Sequence, residues 1–225
     1  MDDPELFATM RKNLFTAVVG DVLDAMGYRH QFLPPGIAPL DPAAVLIGRA
    51  MPVLEADVFS MRGPGPGPLA DTPFGLMFDA LDSLQPGEVY MATGSSLSYA
   101  LWGGLMSTRA LHLKAAGAVL DGFVRDAREI AELGFTVFSR GLYAQDQGQR
   151  GKVIDYRTPV EIGTVRVSPG DLVFGDREGV LIVPAEAEAE AIARALEKAA
   201  TESKVATAIR AGMPARTAWE TFGVM

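Results

Sequence analysis

Gly117-Ala118-Val119-Leu120-Asp121-Gly122-Phe123-Val124-Arg125-Asp126 is an apolar run that ends in a glycine turn and then an adjacent guanidinium and carboxylate. Ala118–Leu120 has no polar face and reads as a strand covered on both sides, while Arg125–Leu133 returns to helical spacing. Just upstream, Glu88–Thr93 reads as a strand and Gly103–Ala116 as a helix, which makes a strand, helix, strand, helix rhythm. Crossovers of that kind favour parallel neighbours, with ligands meeting side chains at the carboxyl ends of the strands. The expected class is α/β.

Outward from this centre the patterns change. Residues 4–26 carry Leu6, Met10, Leu14, Val18, Val22 and Met26 at helical spacing, interrupted at Gly20 and stopped at Gly27, which predicts two short helices. Leu33-Pro34-Pro35-Gly36 is a turn, Val45–Val53 a strand, and Phe74–Leu84 an amphipathic helix closed by Pro86-Gly87. Gly63-Pro64-Gly65-Pro66-Gly67-Pro68 cannot form regular structure and is read as a mobile loop that could act as a lid. From Val137 to Val183, turns at Ser168–Asp171 and Gly175–Gly179 separate short strands in antiparallel or mixed pairing. Ala185–Ala211 is a long helix that Gly212 and Pro214 end.

Composition narrows the chemistry. With 225 residues and 48% hydrophobic content the chain can bury its own core, and 1–225 is read as one domain. Its apolar stretches fall short of the about 20 residues a spanning helix needs, and Met1–Arg11 lacks the pattern of a secretory leader, so no membrane partner and a cytoplasmic location are expected. The absence of cysteine removes thiolate metal sites and cysteine nucleophiles, and only His30 and His112 offer imidazole. A bound metal is therefore held mostly by oxygen, which suits Mg²⁺ or Mn²⁺ better than Zn²⁺. A net charge of −8 without a basic run argues against nucleic acid.

Two segments could carry chemistry. Arg125 could grip a carboxylate with its fork while Asp126 anchors a hydrated cation; the plainer alternative is that the two residues cap and solvate the next helix. Trp102-Gly103-Gly104-Leu105-Met106 opens a helix whose free N–H groups at Gly104, Leu105 and Met106 could face an anion, or it is a turn around a buried Trp102. Lys114, placed in a helix, is a poor Schiff-base amine, and His112, Asp21 and Asp24 read more readily as surface residues.

Taken in order, the motifs resemble the RraA-like family over nearly the whole chain. They are Asp21–Gly27, Leu33–Gly36, Gly48-Arg49-Ala50, Pro86–Val89, Trp102–Leu105, Gly117–Asp126, Pro169-Gly170-Asp171, Gly175–Val180 and a C-terminal helix with Glu202. The resemblance implies a single compact domain of swivelling β/β/α type, with a mixed central sheet, flanking helices and a long C-terminal helix. It also implies class II pyruvate aldolase chemistry, with oxaloacetate decarboxylation as a related activity. Arg125 and Asp126 would be catalytic, Gly103, Gly104, Leu105, Met106 and Arg125 would hold a 2-oxo acid, and Asp126 would hold Mg²⁺, with Glu202 of a neighbouring copy in a homotrimer or hexamer. The sequence departs from the aldolases' acidic residues at Gly104 and at Gln147, where Asp146 stands one place short. The family also implies an alternative, a non-catalytic regulator that binds a protein.

Overall fold

The computed structural model describes residues 2–58, 67–69 and 71–224. They fall into two compact units, Met1–Arg29 with Glu186–Met225, and His30–Ala185. Within the proline-glycine loop, Gly63–Pro66 lie outside the described residues. No helix among the described residues is long and apolar enough to cross a membrane.

The first unit opens with α1 (Asp3–Asn13) and α2 (Thr16–Ala25), the two helices read from the spacing. Asp2 caps α1 by accepting from the Glu5 amide at 3.0 Å, and acids in its first turn with bases in its last complement the helix dipole. The break between them is not at Gly20, which is buried inside α2; it falls at Leu14 and Phe15, whose backbones are extended.

The second unit holds β1 (Ala38–Pro39), β2 (Leu46–Asp57), α3 (Met77–Asp82), β3 (Glu88–Thr93), β4 (Ala100–Trp102), α4 (Gly104–His112), β5 (Gly117–Leu120) and β6 (Phe123–Val124). There follow α5 (Ala127–Leu133), β7 (Val137–Ser139), β8 (Gly141–Leu142), β9 (Gly151–Tyr156), β10 (Val160–Ile162), β11 (Val165–Val167), β12 (Leu172–Asp176) and β13 (Gly179–Val183). The main sheet runs β1-β7-β5-β3-β2-β12-β13, with β9 also on β2. Its β2-β3-β5-β7 centre is parallel, and β1, β9, β12 and β13 pair antiparallel, so the sheet is mixed.

Alternation along the central strands explains why they read as unbroken apolar runs. Met51, Val53, Tyr90, Ala92, Ala118 and Leu120 face one way, onto Ala80 and Leu81 of α3, Ala110 of α4 and Ile130 of α5. Leu46, Ala50, Val89, Met91 and Val119 face the other way, onto the β10–β11 hairpin with Val160, Ile162, Val165 and Val167. The chain packs so tightly at Gly48 that an added Cβ would lie 2.5 Å from the Gly87 carbonyl and 2.9 Å from the Ala116 methyl. Gly48→Ala is therefore expected to destabilise the fold by about 1–3 kcal/mol, read as a lowered midpoint in thermal or urea unfolding.

Helices α3 and α4 are shorter than their sequence pattern. The segment read as helix over Phe74–Leu84 begins at Met77, because Phe74 and Gly75 take positive φ and pair with β9 through Leu76 N–H to Val153 O (2.9 Å) and Val153 N–H to Phe74 O (3.1 Å). The segment over Gly103–Ala116 ends at His112, and Lys114 sits in the following turn at φ +61° instead of within the helix.

The chain closes in the first unit with α6 (Glu188–Arg210) and α7 (Ala215–Phe222), the latter not anticipated from the sequence. α6 packs on α2 and α7, and Lys198 joins the two longer partners by donating to Asp21 at 2.5 Å. Asp21 is thus engaged in an ion pair. Glu202 lies 3.7 Å from the same ammonium, one turn along α6.

Candidate active site

The second, three-stranded sheet builds the site. Its strands β4, β6 and β8 follow the carboxyl ends of β3, β5 and β7, and they pair in parallel. Asp121 anchors these ends: it accepts from the Thr93 hydroxyl at 3.1 Å and the Arg140 guanidinium at 2.6 Å. Trp102 pairs with Val124, and the Arg125 amide donates to the Trp102 carbonyl at 3.0 Å. Parallel pairing brings the two chains out side by side, so Gly103-Gly104 and Arg125-Asp126 meet where α4 and α5 begin.

Asp126 is the hinge of this arrangement. It has φ +57°, a left-handed backbone that Asp tolerates better than most residues, and it is the N-cap position of α5. The plain reading of Asp126 as a cap is half right. Its side chain turns away from α5 and accepts from the Gly104 amide at the start of α4, at 3.0 Å from Oδ2. The Gly104 N–H, expected to face a ligand, is therefore occupied, whereas Leu105 and Met106 still precede the first helical bond, from Ser107 to Gly103. A Cβ at Gly103 would come 2.7 Å from Asp126 Oδ2, and one at Gly104 would displace the Glu129 carboxylate.

Arg125 faces two acids. Nη1 forms an ion pair with Asp146 Oδ1 at 2.8 Å, and Nε lies 3.7 Å from Asp126 Oδ2. Neighbouring side chains meet here because the left-handed residue breaks the helical spacing that would separate them. Asp126 Oδ1 and Arg125 Nη2 have no hydrogen-bond partner among the described residues.

These groups line a cavity of about 410 Å³, a size suited to a small molecule. Gly103, Leu105, Met106, Arg125, Asp126, Asp146 and Gln147 line it together with Phe74, Met77, Phe78 and Leu81 of the α3 region. Five of the residues read from the sequence thus share one cavity, Gly104 contributes through its bond to Asp126, and Glu202 belongs to the other unit.

Sequence reasoning missed what lies behind Gln147. Glu55, on β2 and on the same face as Met51 and Val53, is buried and accepts from Gln147 Nε2 at 2.8 Å. Burial, only partly offset by that hydrogen bond, pushes its carboxyl up to about 8. Glu55 Oε2, the Tyr90 hydroxyl and the Ser95 hydroxyl have no partner among the described residues, although all three are buried. Burial also pulls on neighbouring Asp57, yet hydrogen bonds from Ser96 and Tyr99 outweigh it and hold that carboxyl below its ordinary value. The legible signal was a lone acid continuing an apolar face.

A raised carboxyl has a stability consequence. The folded chain keeps a proton that the unfolded chain releases near 4.5, so Glu55 supports the fold fully below that pH and loses its contribution as pH rises through about 8. Glu55→Gln is expected to flatten stability between pH 5 and about 8.5 and to exceed wild type at the alkaline end, as read by urea unfolding across pH.

The donors in the cavity's charged cluster are oxygen only. Among the described residues no three His, Cys, Asp or Glu side chains converge as a metal cage. An accessible carboxylate with one unpartnered oxygen nevertheless fits Mg²⁺, which keeps most of its waters and takes one or two protein carboxylates.

The RraA-like family (Aldolase/RraA) matches residues 16–182. Protein DlpA of Legionella pneumophila is 27% identical over 93% of this chain, which spans only 32% of the length of DlpA. A Halalkalibacterium halodurans protein named "Putative 4-hydroxy-4-methyl-2-oxoglutarate aldolase" is 26% identical over 87% of this chain and 85% of its own. The crystal structure of Streptomyces coelicolor RraAS2, "an unusual member of the RNase ES inhibitor RraA protein family", superposes with a TM-score of 0.76 at 25% identity, covering 90% of this chain and 96% of that one.

Proposed function

The chain belongs to the RraA-like family, and from that premise we propose that the Arg125–Asp126 cavity binds a 2-oxo acid beside a hydrated divalent cation and acts as a lyase releasing pyruvate. The observation that carries the reading is the charge of the side-chain cluster in the cavity. One guanidinium against two carboxylates leaves that cluster negative, which repels a carboxylate unless a cation enters with it. Asp126, through its unpartnered oxygen, would hold Mg²⁺ or Mn²⁺, with Glu202 of a second copy in a trimer or hexamer as a further carboxylate. The ion supplies electrophilic polarisation of the 2-oxo group. Arg125 takes the substrate carboxylate through Nη2, and its tie to Asp146 fixes the plane of the fork. In retro-aldol cleavage the 4-hydroxyl gives its proton to water, C4 becomes a carbonyl as the C3–C4 bond breaks, the bond's electron pair moves onto the 2-oxo group as an enolate, and C3 then takes a proton from water to give pyruvate. The Leu105 and Met106 amides at the start of α4 are suited to receive that charge.

The comparisons weigh more towards a second reading, a protein-binding regulator. The resemblance to RraAS2 favours it. One experiment separates the two. A coupled pyruvate assay over a panel of 4-hydroxy-2-oxo acids and oxaloacetate is expected to give release that depends on added Mg²⁺. Absence of metal-dependent release across the panel, together with a stable complex between this chain and a ribonuclease, would establish the regulator instead.

A further inference from the structure

The cavity joins one cluster of charged side chains to a mostly apolar lining. Arg125 is its single basic side chain among the described residues, and it is already committed to Asp146 and to one substrate carboxylate. The rest of the lining includes Phe74, Met77, Phe78, Leu81, Leu105 and Met106, and there a second carboxylate would find no further cation among the described residues and would meet hydrocarbon in place of its water. Phe74 and Phe78 meet edge to face, with ring centres 5.6 Å apart, a rigid surface for an apolar group. We infer that the ligand of this site is a 2-oxo monocarboxylate with a branched aliphatic or aromatic distal group, not a 2-oxo dicarboxylate.

The inference rests on the reading of the cavity as a 2-oxo acid site and adds the nature of the distal group. Its test is calorimetric titration of the full chain, in Mg²⁺, with two probes of nearly equal shape. 5-Methyl-2-oxohexanoate ends in an isopropyl group where 2-oxoglutarate ends in a carboxylate. The branched probe is expected to bind at least about tenfold more tightly, because its methyl groups are buried and no charge is stranded. Phe78 is 56% exposed, so Phe78→Lys leaves the core intact and puts a cation on the apolar wall. That variant is expected to shift the preference at least about tenfold towards 2-oxoglutarate.

Equal or tighter binding of 2-oxoglutarate by the wild type overturns the inference while leaving a 2-oxo acid site in place. Failure of both probes to bind overturns the underlying reading as well. Because the titration measures binding and not turnover, a chain that prefers the branched probe yet releases no pyruvate supports the inference and counts against the lyase alone.

Discussion

Arg125→Ala is expected to lower kcat/KM for pyruvate release by about a hundredfold to a thousandfold while shifting the unfolding midpoint little. The two effects separate because of where Arg125 sits. Its side chain is 39% exposed and that of Asp146 46%, so their ion pair adds at most about 1 kcal/mol to the fold. At the cavity the same removal leaves Asp126 and Asp146 with no countercharge and deprives the substrate carboxylate of its only basic partner among the described residues. Arg125→Lys keeps the charge and loses the planar fork, which cannot then engage Asp146 and the substrate together, so an intermediate loss of at least about tenfold is expected. Steady-state kinetics beside thermal melts checks all three proteins. Wild-type turnover by Arg125→Ala would remove this residue from the chemistry.

Asp126 is expected to behave differently, because one side chain does two jobs. Asp126→Ala loses the bond to the Gly104 amide and places a residue without a polar side chain at φ +57°, costing about 1–2 kcal/mol of stability. Asp126→Asn keeps an acceptor for Gly104 and tolerates the left-handed backbone, so it should melt close to wild type. Both variants lose the negative oxygen proposed to hold the cation, and both should lose about a hundredfold or more in Mg²⁺-dependent release. The informative protein is the asparagine variant, which is folded and inactive on this account. Full activity in it would mean that Asp126 serves only to tie α4 to α5.

The contrast between legible and hidden features follows from the range of the forces involved. β3 was read to the residue because Val89, Tyr90, Met91 and Ala92 bury both faces of a central strand, and no competing periodicity is present. Gly103-Gly104 and Arg125-Asp126 were legible as candidates, but their meeting depends on β6 and β8, strands of two residues that no periodicity can announce. The start of α5 was misplaced for a related reason: Arg125 and Asp126 continue a helical pattern, and only the left-handed turn at Asp126 excludes them. The apolar wall was hidden because Phe74 and Phe78 reach the cavity through the pairing of Gly75 with Val153, far along the chain. Glu55 was visible as a lone acid after Met51 and Val53, and its contact with Gln147 was not.

Ligand and cation are proposed to enter one negative cavity together. The most direct measurement is the affinity of the chain for pyruvate at a series of Mg²⁺ concentrations, with the affinity for Mn²⁺ measured in turn with and without pyruvate. Linkage requires each to strengthen the other by the same factor. The account predicts at least about a tenfold mutual enhancement that Asp126→Asn abolishes, and pyruvate binding indifferent to the metal would contradict it.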